Sequence, residues 1–348
     1  MQTIIVHHRS KHHAQNSGYG RLIDYLEAKT IPAGTTYLPY KIAKYISKNT
    51  NQNAGIYDVK SVYKDWQLFQ QLVFSKNEPR TIHYLNAERD IRHCTQLTAR
   101  FSKTSVCASF HKPPEVLLKT IHDTQYLKKI NGAIAVGSNQ VDFLKNWLNL
   151  EQVKFIPHGV DTTFFQPDSS KREEHTLLFV GQHLRDFEAL NYAVPRLKEK
   201  IPSLKINAVL RNDYSKKINA DSAVTVFSGL DDESLKKMYQ QATLLFLPLQ
   251  NVTACNSILE AMACGLPIVS TAVEGNASYV KNNSGILVPQ NDYNALIDTT
   301  LSLLENQDAL VKMSAAARIT ALDFEWEKVS KQVCAFYHEI SIAYPLKN

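Results

Sequence analysis

Two series of short, almost wholly apolar runs limit what this chain can fold into. The first series is QTIIVHH, TIHYLN, SVCASFH, GAIAVGS and VKFIPHG, and the second is TLLFVG, LKINAVL, VTVFSG, TLLFLPL, LPIVST and GILVPQ. Helical patterns such as VDFLKNWL and ESLKKMYQQA separate the runs. Apolar strands that alternate with helices predict parallel sheets covered on both faces. We therefore predict an α/β chain of two Rossmann-like, doubly wound domains that face a cleft.

The stretch PHGVDTTFFQPDSSKREEH separates the two series, and its prolines and charged residues indicate a linker. A chain of 348 residues is long enough for two domains of about 150 residues each. We place the first domain at 1–163 and the second at 164–322. A final helix at 323–348 begins after the second series is complete.

Several classes of protein are excluded by what the sequence lacks. No apolar run approaches the ~18 residues of a membrane span, and the start lacks the apolar core of a secretory signal. The five cysteines contain no C-x-x-C pair, which favours reduced thiols over a disulfide or zinc framework. We expect a cytoplasmic protein without a metal site.

The net charge of +6 is unevenly distributed. Residues 1–165 hold 21 Lys and Arg against 12 Asp and Glu, whereas the remainder holds 18 against 21. This asymmetry indicates either an anionic partner or an ordinary solvated surface. No zinc finger or basic-aromatic motif favours nucleic acid.

Ligands of doubly wound sheets bind beyond the carboxyl ends of the strands, so the residues after each run are candidates. Gly18 and Gly20 follow the first run and allow a close approach to a phosphate, or form a tight turn. Glu88 follows TIHYLN and is either a cleft residue or the surface partner of an arginine. His111 follows SVCASF in a loop stiffened by two prolines, where it either binds substrate or has a structural role.

In the second half, Gly181 ends a strand and Arg185 follows it, as a phosphate ligand or as the ion-pair partner of Asp186 or Glu188. The helix of NSILEAMAC begins near Thr253 to Asn256, so that its positive end is a diphosphate site. Glu260 lies about one turn into that helix and can accept hydrogen bonds from a ribose diol. The loop residues assigned to the same site are Asn251, Cys255 and Asn256. The acidic run from Asp231 is interpreted as a helix N-cap rather than a metal site.

Four segments together resemble the family 4 glycosyltransferases, which have the GT-B fold. VKFIPHGVDTTFFQP resembles the I-P-N-G-V-D-x-x-x-F signature, and NSILEAMACGLPIVST resembles L-E-A-M-A-x-G-x-P-V-V. AVEGNASYVKNNSGILVPQND and FEWEKVSKQVCAFY are similar to the motifs that follow these in the family, and SFHKPPE to the H-x-P-P form of a first-domain loop.

The resemblance implies a retaining transfer of a sugar, a hexose in our expectation, from a nucleoside diphosphate donor. The acceptor is a glycan or a lipid-linked molecule, as in the synthesis of surface polysaccharides and glycoconjugates. By position, Glu260 matches the second glutamate of the E-x7-E motif, which holds the ribose. His111 matches the histidine near the transferred sugar, and Gly18 and Gly20 match the loop near the phosphates. The last helix is expected to cross back to the first domain, and no cofactor or metal is expected besides the donor.

The sequence departs from the family pattern at two places. Val252 stands where the first glutamate of E-x7-E is expected, and the motif G-R-L-x-x-x-K-G is replaced by GQHLRDFEAL. Arg185 is then the cation left to neutralise the diphosphate. Two alternatives therefore stay open: a sugar-nucleotide epimerase or related enzyme of the same fold, and a non-catalytic subunit.

The basic first half also predicts a peripheral contact with the anionic inner face of a membrane. Lys41, Lys44 and Lys48 are spaced to line one side of a helix, and Lys60 and Lys64 follow. Tyr37, Tyr40 and Tyr45 lie nearby and suit the headgroup level. The alternative is that these lysines are solvated or bind a soluble acidic acceptor.

Overall fold

The structure is a computed structural model that describes residues 2–8, 15–32, 37–50, 57–74, 78–98, 103–168, 170 and 172–343. The chain divides into two compact units. Unit 1 comprises Met1–His13, Tyr19–Pro157 and Glu327–Asn348, and unit 2 comprises Ala14–Gly18 and His158–Trp326. Histidines 12 and 13 of the HHRSKHH segment lie outside the described residues.

Among the described residues, unit 1 is built on a six-stranded sheet in the order β2-β1-β3-β4-β5-β6, and all of its pairings are parallel. Its strands are β1 (Gln2–Val6), β2 (Lys29–Ile31), β3 (Arg80–Tyr84), β4 (Thr104–Phe110), β5 (Gly132–Ala135) and β6 (Val153–Phe155). Its helices are α1 (Tyr40–Thr50), α2 (Val59–Phe74), α3 (Ala87–Asp90), α4 (His93–Thr98), α5 (Pro114–Thr120) and α6 (Gln140–Leu148), with 3₁₀ helices at Tyr19–Tyr25 and Leu127–Lys129.

Unit 2 repeats this plan with the order β12-β11-β10-β7-β8-β9, again parallel throughout the described residues. Its strands are β7 (Thr176–Val180), β8 (Lys205–Val209), β9 (Val224–Phe227), β10 (Leu244–Leu247), β11 (Ile268–Ala272) and β12 (Gly285–Pro289). Its helices are α7 (Phe187–Lys200), α8 (Asn212–Ser215), α9 (Asp232–Gln241), α10 (Asn256–Ala263), α11 (Tyr293–Leu304) and α12 (Gln307–Leu322), with a 3₁₀ helix at Asn276–Ser278. The last helix, α13 (Trp326–Ala343), groups with unit 1 from Glu327 onward.

The central strands of unit 2 are buried on both faces. Every residue of β7 and of β10 is buried, because helices cover both sides of the sheet at its centre. The edge strand β9 has no buried residue: Val224 and Phe227 are half-buried, and Thr225 and Val226 are exposed. The predicted α/β class, with two doubly wound parallel sheets, is confirmed. The short edge strand β2 has no counterpart among the predicted runs.

The boundary between the units differs from the sequence-based one. It lies after Pro157 rather than after residue 163, because His158 bonds within unit 2. The backbone N–H of His158 donates to the Tyr279 hydroxyl at 3.0 Å, and its imidazole Nδ1 lies 3.0 Å from Asn256 Oδ1. The glycine segment also divides: Gly18 belongs to unit 2, whereas Gly20 lies in the 3₁₀ helix of unit 1.

Local capping follows the sequence in unit 2. The Asp231 carboxylate accepts the backbone N–H of Ser234 at 2.7 Å, so the prediction of an N-cap for α9 is confirmed. Asp186 caps α7 in the same way by accepting from Ala189 at 3.0 Å. The cysteines are all free thiols; Cys334 on α13 is exposed, and the others are buried.

Lys64 corrects one expectation. Instead of contributing to a basic surface, its ammonium group is fully buried on α2 and forms an ion pair with the equally buried Asp90. Burial lowers the pKa of Lys64, and the charge of Asp90 opposes that shift. Ser61 donates a further hydrogen bond to the same Asp90 oxygen at 3.0 Å. The pair therefore ties α2 to α3 inside unit 1.

Replacing Lys64 with Met should destabilise the protein by about 3–5 kcal/mol, because Asp90 is left as an uncompensated buried charge. The double variant Lys64→Met/Asp90→Leu should recover most of that loss. Denaturant unfolding of the full chain measures both. Lys60→Met, on an exposed position of the same helix, is the matched control. A Lys64→Met variant as stable as Lys60→Met would contradict a structural role for the ion pair.

Candidate functional site in unit 2

The candidate site of unit 2 is organised around the N-terminus of α10. This helix begins at Asn256, and the side chain of its N-cap residue, Cys255, makes no capping hydrogen bond. The first amides of the helix are therefore not satisfied by that cap, and they carry the positive end of the helix dipole. Such an end binds anionic groups, phosphates above all.

Arg185 brings a fixed positive charge to the same helix end. Its guanidinium is anchored by Nε, which donates to the Val180 carbonyl at 2.8 Å, and by Nη1, which donates to the His183 carbonyl at 3.2 Å. Nη2 lies 3.2 Å from Ser257 Oγ and 3.5 Å from Cys255 Sγ, both in the first turn region of α10. The predicted alternative of an ion pair with Asp186 is wrong, since that carboxylate caps α7.

Gly181 is required for this placement of Arg185. Its φ of +89° lies in the region that residues with a Cβ rarely adopt. A Cβ at this position would come within 2.8 Å of Arg185 Nη2. The glycine thus lets the chain turn sharply after β7 and leaves space for the guanidinium. Gly181, Arg185, Cys255 and Asn256, which were all assigned to one site, are brought together in unit 2.

Glu260 lies one turn into α10, as predicted, but its carboxylate is already engaged. It is 4% exposed, and the Ser17 hydroxyl donates to Oε1 while the Tyr239 hydroxyl donates to Oε2 at 2.9 Å. Burial raises the pKa of Glu260, and the hydrogen bonds from Ser17 and Tyr239 oppose that shift. A ribose diol would have to share or replace these donors.

Ser17 belongs to a segment, residues 15–18, that lies on this part of unit 2. Asn16 anchors it, because its backbone N–H and its Nδ2 donate to Asp232 Oδ2 at 2.8 and 3.2 Å. Gly18 continues the segment with a φ of +85°, and a Cβ there would lie 3.9 Å from Asn256 Nδ2. The crevice between the segment and Glu260 has no room for a water molecule. The Glu260 carboxylate is therefore covered by residues 15–18 in this structure.

The position of the missing motif glutamate is filled by a buried apolar residue. Val252 is 6% exposed and belongs to the core of unit 2. Its backbone N–H donates to Asn251 Oδ1 at 2.7 Å, so the side-chain oxygen of Asn251, which was assigned to this site, is engaged within the loop. Gly275 packs against the same turn, since a Cβ there would lie 2.0 Å from the Val252 carbonyl oxygen.

The sequence-based analysis missed three residues of this site. His158 holds Asn256, whereas Ser17 and Tyr239 occupy the oxygens of Glu260. His158 had a signal, because it replaces the asparagine of the family motif in IPHGVD. Ser17 lies 243 residues before Glu260, and Tyr239 lies in another helix, α9. No pattern in the sequence connects either residue to Glu260.

In unit 1, Glu88 supports the loop that carries His111. Glu88 is 2% exposed, and its Oε1 accepts the backbone N–H groups of His111 and Lys112 at 2.6 and 2.8 Å. The alternative of a surface ion pair is wrong, since Arg89 pairs with Asp58. Glu88 therefore holds the backbone of the loop that carries His111.

The His111 ring is held on two sides. Its Nε2 donates to the Leu85 carbonyl at 2.6 Å, which fixes the proton on that nitrogen, because a carbonyl only accepts. The Tyr19 ring packs against it edge-on, with ring centroids 4.7 Å apart at 72°. Pro113 then precedes α5, which begins at Pro114, so the loop is stiff as predicted.

In the part of the chain that the structure describes, no group of three or more His, Cys, Asp or Glu residues is arranged to hold a metal ion. The prediction that the reaction needs no metal is not tested by this finding.

Residues 161–320 match the family of glycosyl transferases group 1. The phosphatidyl-myo-inositol mannosyltransferase of Mycolicibacterium smegmatis is 26% identical over 233 residues, which cover 62% of this chain and 59% of that protein. The chain thus spans less than two thirds of the length of this relative.

Solved structures resemble the whole chain. Sucrose-phosphate synthase of Thermosynechococcus elongatus has a TM-score of 0.71 at 18% identity, covering 99% of this chain and 100% of that one. The HepE protein of Anabaena, solved in complex with UDP, has a TM-score of 0.66 at 12% identity, covering 97% and 100%. These likenesses confirm the predicted GT-B fold class.

Glu88→Gln should loosen the His111 loop, because a neutral amide is a weaker acceptor than a carboxylate. Amide hydrogen exchange at His111 and Lys112 should accelerate by about tenfold, as expected for a loss near 1.4 kcal/mol. Mass spectrometry after exchange measures this, with the exposed Glu151→Gln in the same unit as control. Unchanged protection of both amides would show that Glu88 does not hold the loop.

Proposed function

We propose, from the membership of residues 161–320 in the family of glycosyl transferases group 1, that this protein is a glycosyltransferase that uses a nucleoside diphosphate sugar. The observation that carries the proposal is the guanidinium of Arg185 beside the first turn of α10. Donor binding is assigned to unit 2 and acceptor binding to unit 1. The acceptor is a glycan or a lipid-linked molecule, and the transfer retains the configuration at the anomeric carbon.

The chemistry follows from where charge develops. When the bond between the anomeric carbon and the diphosphate breaks, negative charge grows on the leaving phosphate oxygens. Arg185 and the amides of α10 are already oriented by the fold, so they stabilise that charge without reorganisation. Metal ions are not needed for this stabilisation in the proposed mechanism.

Glu260 is proposed to hold the ribose once residues 15–18 have withdrawn. Nucleotide binding then competes with the hydrogen bond from Ser17, because both need the same carboxylate and the crevice admits neither water nor sugar when closed. The donor site is thus coupled to the position of the Asn16–Gly18 segment.

Substitutions at the two ends of this site should change the affinity for UDP in opposite directions. Arg185→Ala should weaken binding, because it removes the charge at the diphosphate position. Ser17→Ala should strengthen it by roughly 10- to 100-fold, because a competing hydrogen bond to a charged group is worth about 1.5–3 kcal/mol. Isothermal titration calorimetry of the full chain measures both.

The control is Arg196→Ala, on an exposed face of α7 where the guanidinium covers the Tyr192 ring at 3.5 Å. If Arg185→Ala and Arg196→Ala bind UDP equally well, the diphosphate is not held at α10. If Ser17→Ala weakens binding, the serine belongs to the closed donor complex and does not compete with it.

A non-catalytic nucleotide-binding subunit is the second candidate, and the buried Val252 favours it. A carboxylate that would contact the donor sugar is replaced there by an apolar side chain in the core. A panel of nucleotide sugars, assayed for transfer and for hydrolysis, separates the two. Binding of UDP without release of UDP from any donor would support the subunit.

We further propose that α1 of unit 1 contacts an anionic membrane surface. Tyr37, Tyr40 and Tyr45 are 100%, 59% and 69% exposed, and Ile42 is 49% exposed. The neighbouring lysines of α1 are all exposed: Lys41, Lys44 and Lys48. Aromatic rings at the headgroup level and lysines near anionic lipid both favour such a contact. None of the helices described in the structure has the length and hydropathy of a bilayer-crossing segment.

Lys41→Glu/Lys44→Glu/Lys48→Glu should reduce binding to vesicles by on the order of 100-fold, since each basic residue contributes about 1 kcal/mol near an anionic surface. Co-sedimentation with vesicles of varied phosphatidylserine content and salt measures it. The control variant has the same change in charge: Glu replaces the exposed Lys119, Lys128 and Lys129 of the same unit. Binding that ignores anionic lipid, or an equal loss in both variants, would refute α1 as the contact.

A further inference from the structure

Four buried polar side chains of unit 1 form a continuous chain of hydrogen bonds that ends at Tyr19, and the ring of Tyr19 contacts the ring of His111. The Tyr337 hydroxyl on α13 lies 2.6 Å from Nδ1 of His83. Nε2 of His83 lies 2.8 Å from Ser109 Oγ, which lies 2.9 Å from the Tyr19 hydroxyl. The Tyr19 ring is the one that packs edge-on against the His111 ring.

The members of this chain are inaccessible to solvent. His83 and Ser109 are 0% exposed, Tyr337 is 4% exposed and Tyr19 is 8% exposed. A buried polar group left without a partner costs about 1–3 kcal/mol, so each member depends on the others. Fully satisfied buried networks of this kind fix one arrangement of side chains.

The two hydrogen bonds of the His83 ring cannot both be donated by His83 at the same time. Burial lowers the pKa of His83 to about 3, so its imidazole is neutral at physiological pH. A neutral imidazole donates from one nitrogen and accepts at the other. If the Tyr337 hydroxyl donates to Nδ1, Nε2 donates to Ser109, and if Nδ1 donates to Tyr337, Nε2 accepts from Ser109.

We propose that Tyr337, His83, Ser109 and Tyr19 act as a positioning relay, through which α13 sets the orientation of the His111 ring. The relay rests on the proposed function in so far as His111 serves the transfer reaction. None of its four members is assigned to contact the donor or the acceptor.

Strand geometry explains how the relay reaches His111. Ser109 and His111 are two residues apart at the end of β4, and His83 and Leu85 have the same spacing at the end of β3. Side chains two residues apart in a strand point to one face of the sheet. His83 thus lies two residues before Leu85, whose carbonyl accepts from His111 Nε2, and Ser109 lies two residues before His111, whose ring contacts Tyr19.

Tyr337→Phe tests the relay with the loss of one oxygen atom. In the full chain labelled with ¹⁵N-histidine, long-range proton–nitrogen spectra report the tautomer and environment of each imidazole. His111→Gln identifies the His111 signals by their disappearance. Tyr337→Phe should shift the signals of His83 and also those of His111, because the relay connects Tyr337 to the Tyr19 ring that contacts His111.

Ser109→Ala should shift the His111 signals as well, and in that background Tyr337→Phe should no longer affect them. Ser105→Ala is the matched control, because it removes a buried hydroxyl that pairs with Thr81 at 3.0 Å on the same two strands. His111 signals that ignore Tyr337→Phe, or that respond equally to Ser105→Ala, would overturn the proposal.

Measurements of kcat distinguish a failure of the relay from a failure of the proposed function. Tyr337→Phe should lower kcat by up to about 100-fold, as a small displacement of a group at the reaction centre does, and leave the affinity for UDP unchanged. If the His111 signals shift in Tyr337→Phe but His111→Gln retains full turnover, the relay stands and the role of His111 in transfer fails. If neither the signals nor kcat change, the relay itself is wrong.

Discussion

A parallel sheet that is covered by helices on both faces leaves polar chemistry only at the ends of its strands. Both units obey this constraint. In unit 2, the loop after β7 and the start of α10 both follow the carboxyl ends of the neighbouring strands β7 and β10. A single glycine, Gly181, then allows Arg185 to fold back against the helix end. The positive charge and the helix amides thereby converge because of sheet topology and one turn, without any run of basic residues.

The repeated pattern of apolar runs was sufficient to predict the fold class, since every predicted run is a strand and, among the described residues, the short β2 is the strand that was not predicted. It also predicted that Glu260 lies one turn into α10. It did not predict that Ser17 would reach this carboxylate, because the two residues are 243 positions apart and no periodicity encodes such a contact. Glu88 shows the same limit: its position after β3 was clear, but its bonds to the backbone of another loop were not.

The departures from the family motifs have a common physical consequence. The buried Val252 takes a carboxylate away from the loop before α10, and the absent lysine takes a cation away from the loop after β7. The loss of a negative charge and the loss of a positive charge offset each other, so the net charge of this region changes little. The guanidinium of Arg185 lies beside the first turn of α10, and the nearby Glu260 carboxylate is covered by Ser17.

The exposed cysteine of the chain lies on α13, so this helix can be labelled selectively with a thiol reagent. Cys334 is the exposed cysteine, and the other four are buried in the two units. A thiol-reactive fluorophore or spin label would therefore attach to the helix that carries Tyr337 without prior removal of native cysteines. Partial burial raises the pKa of the Cys334 thiol, so conjugation would be slow near neutral pH and faster in mildly alkaline buffer. The native sequence thus provides a spectroscopic reporter on the last helix of unit 1.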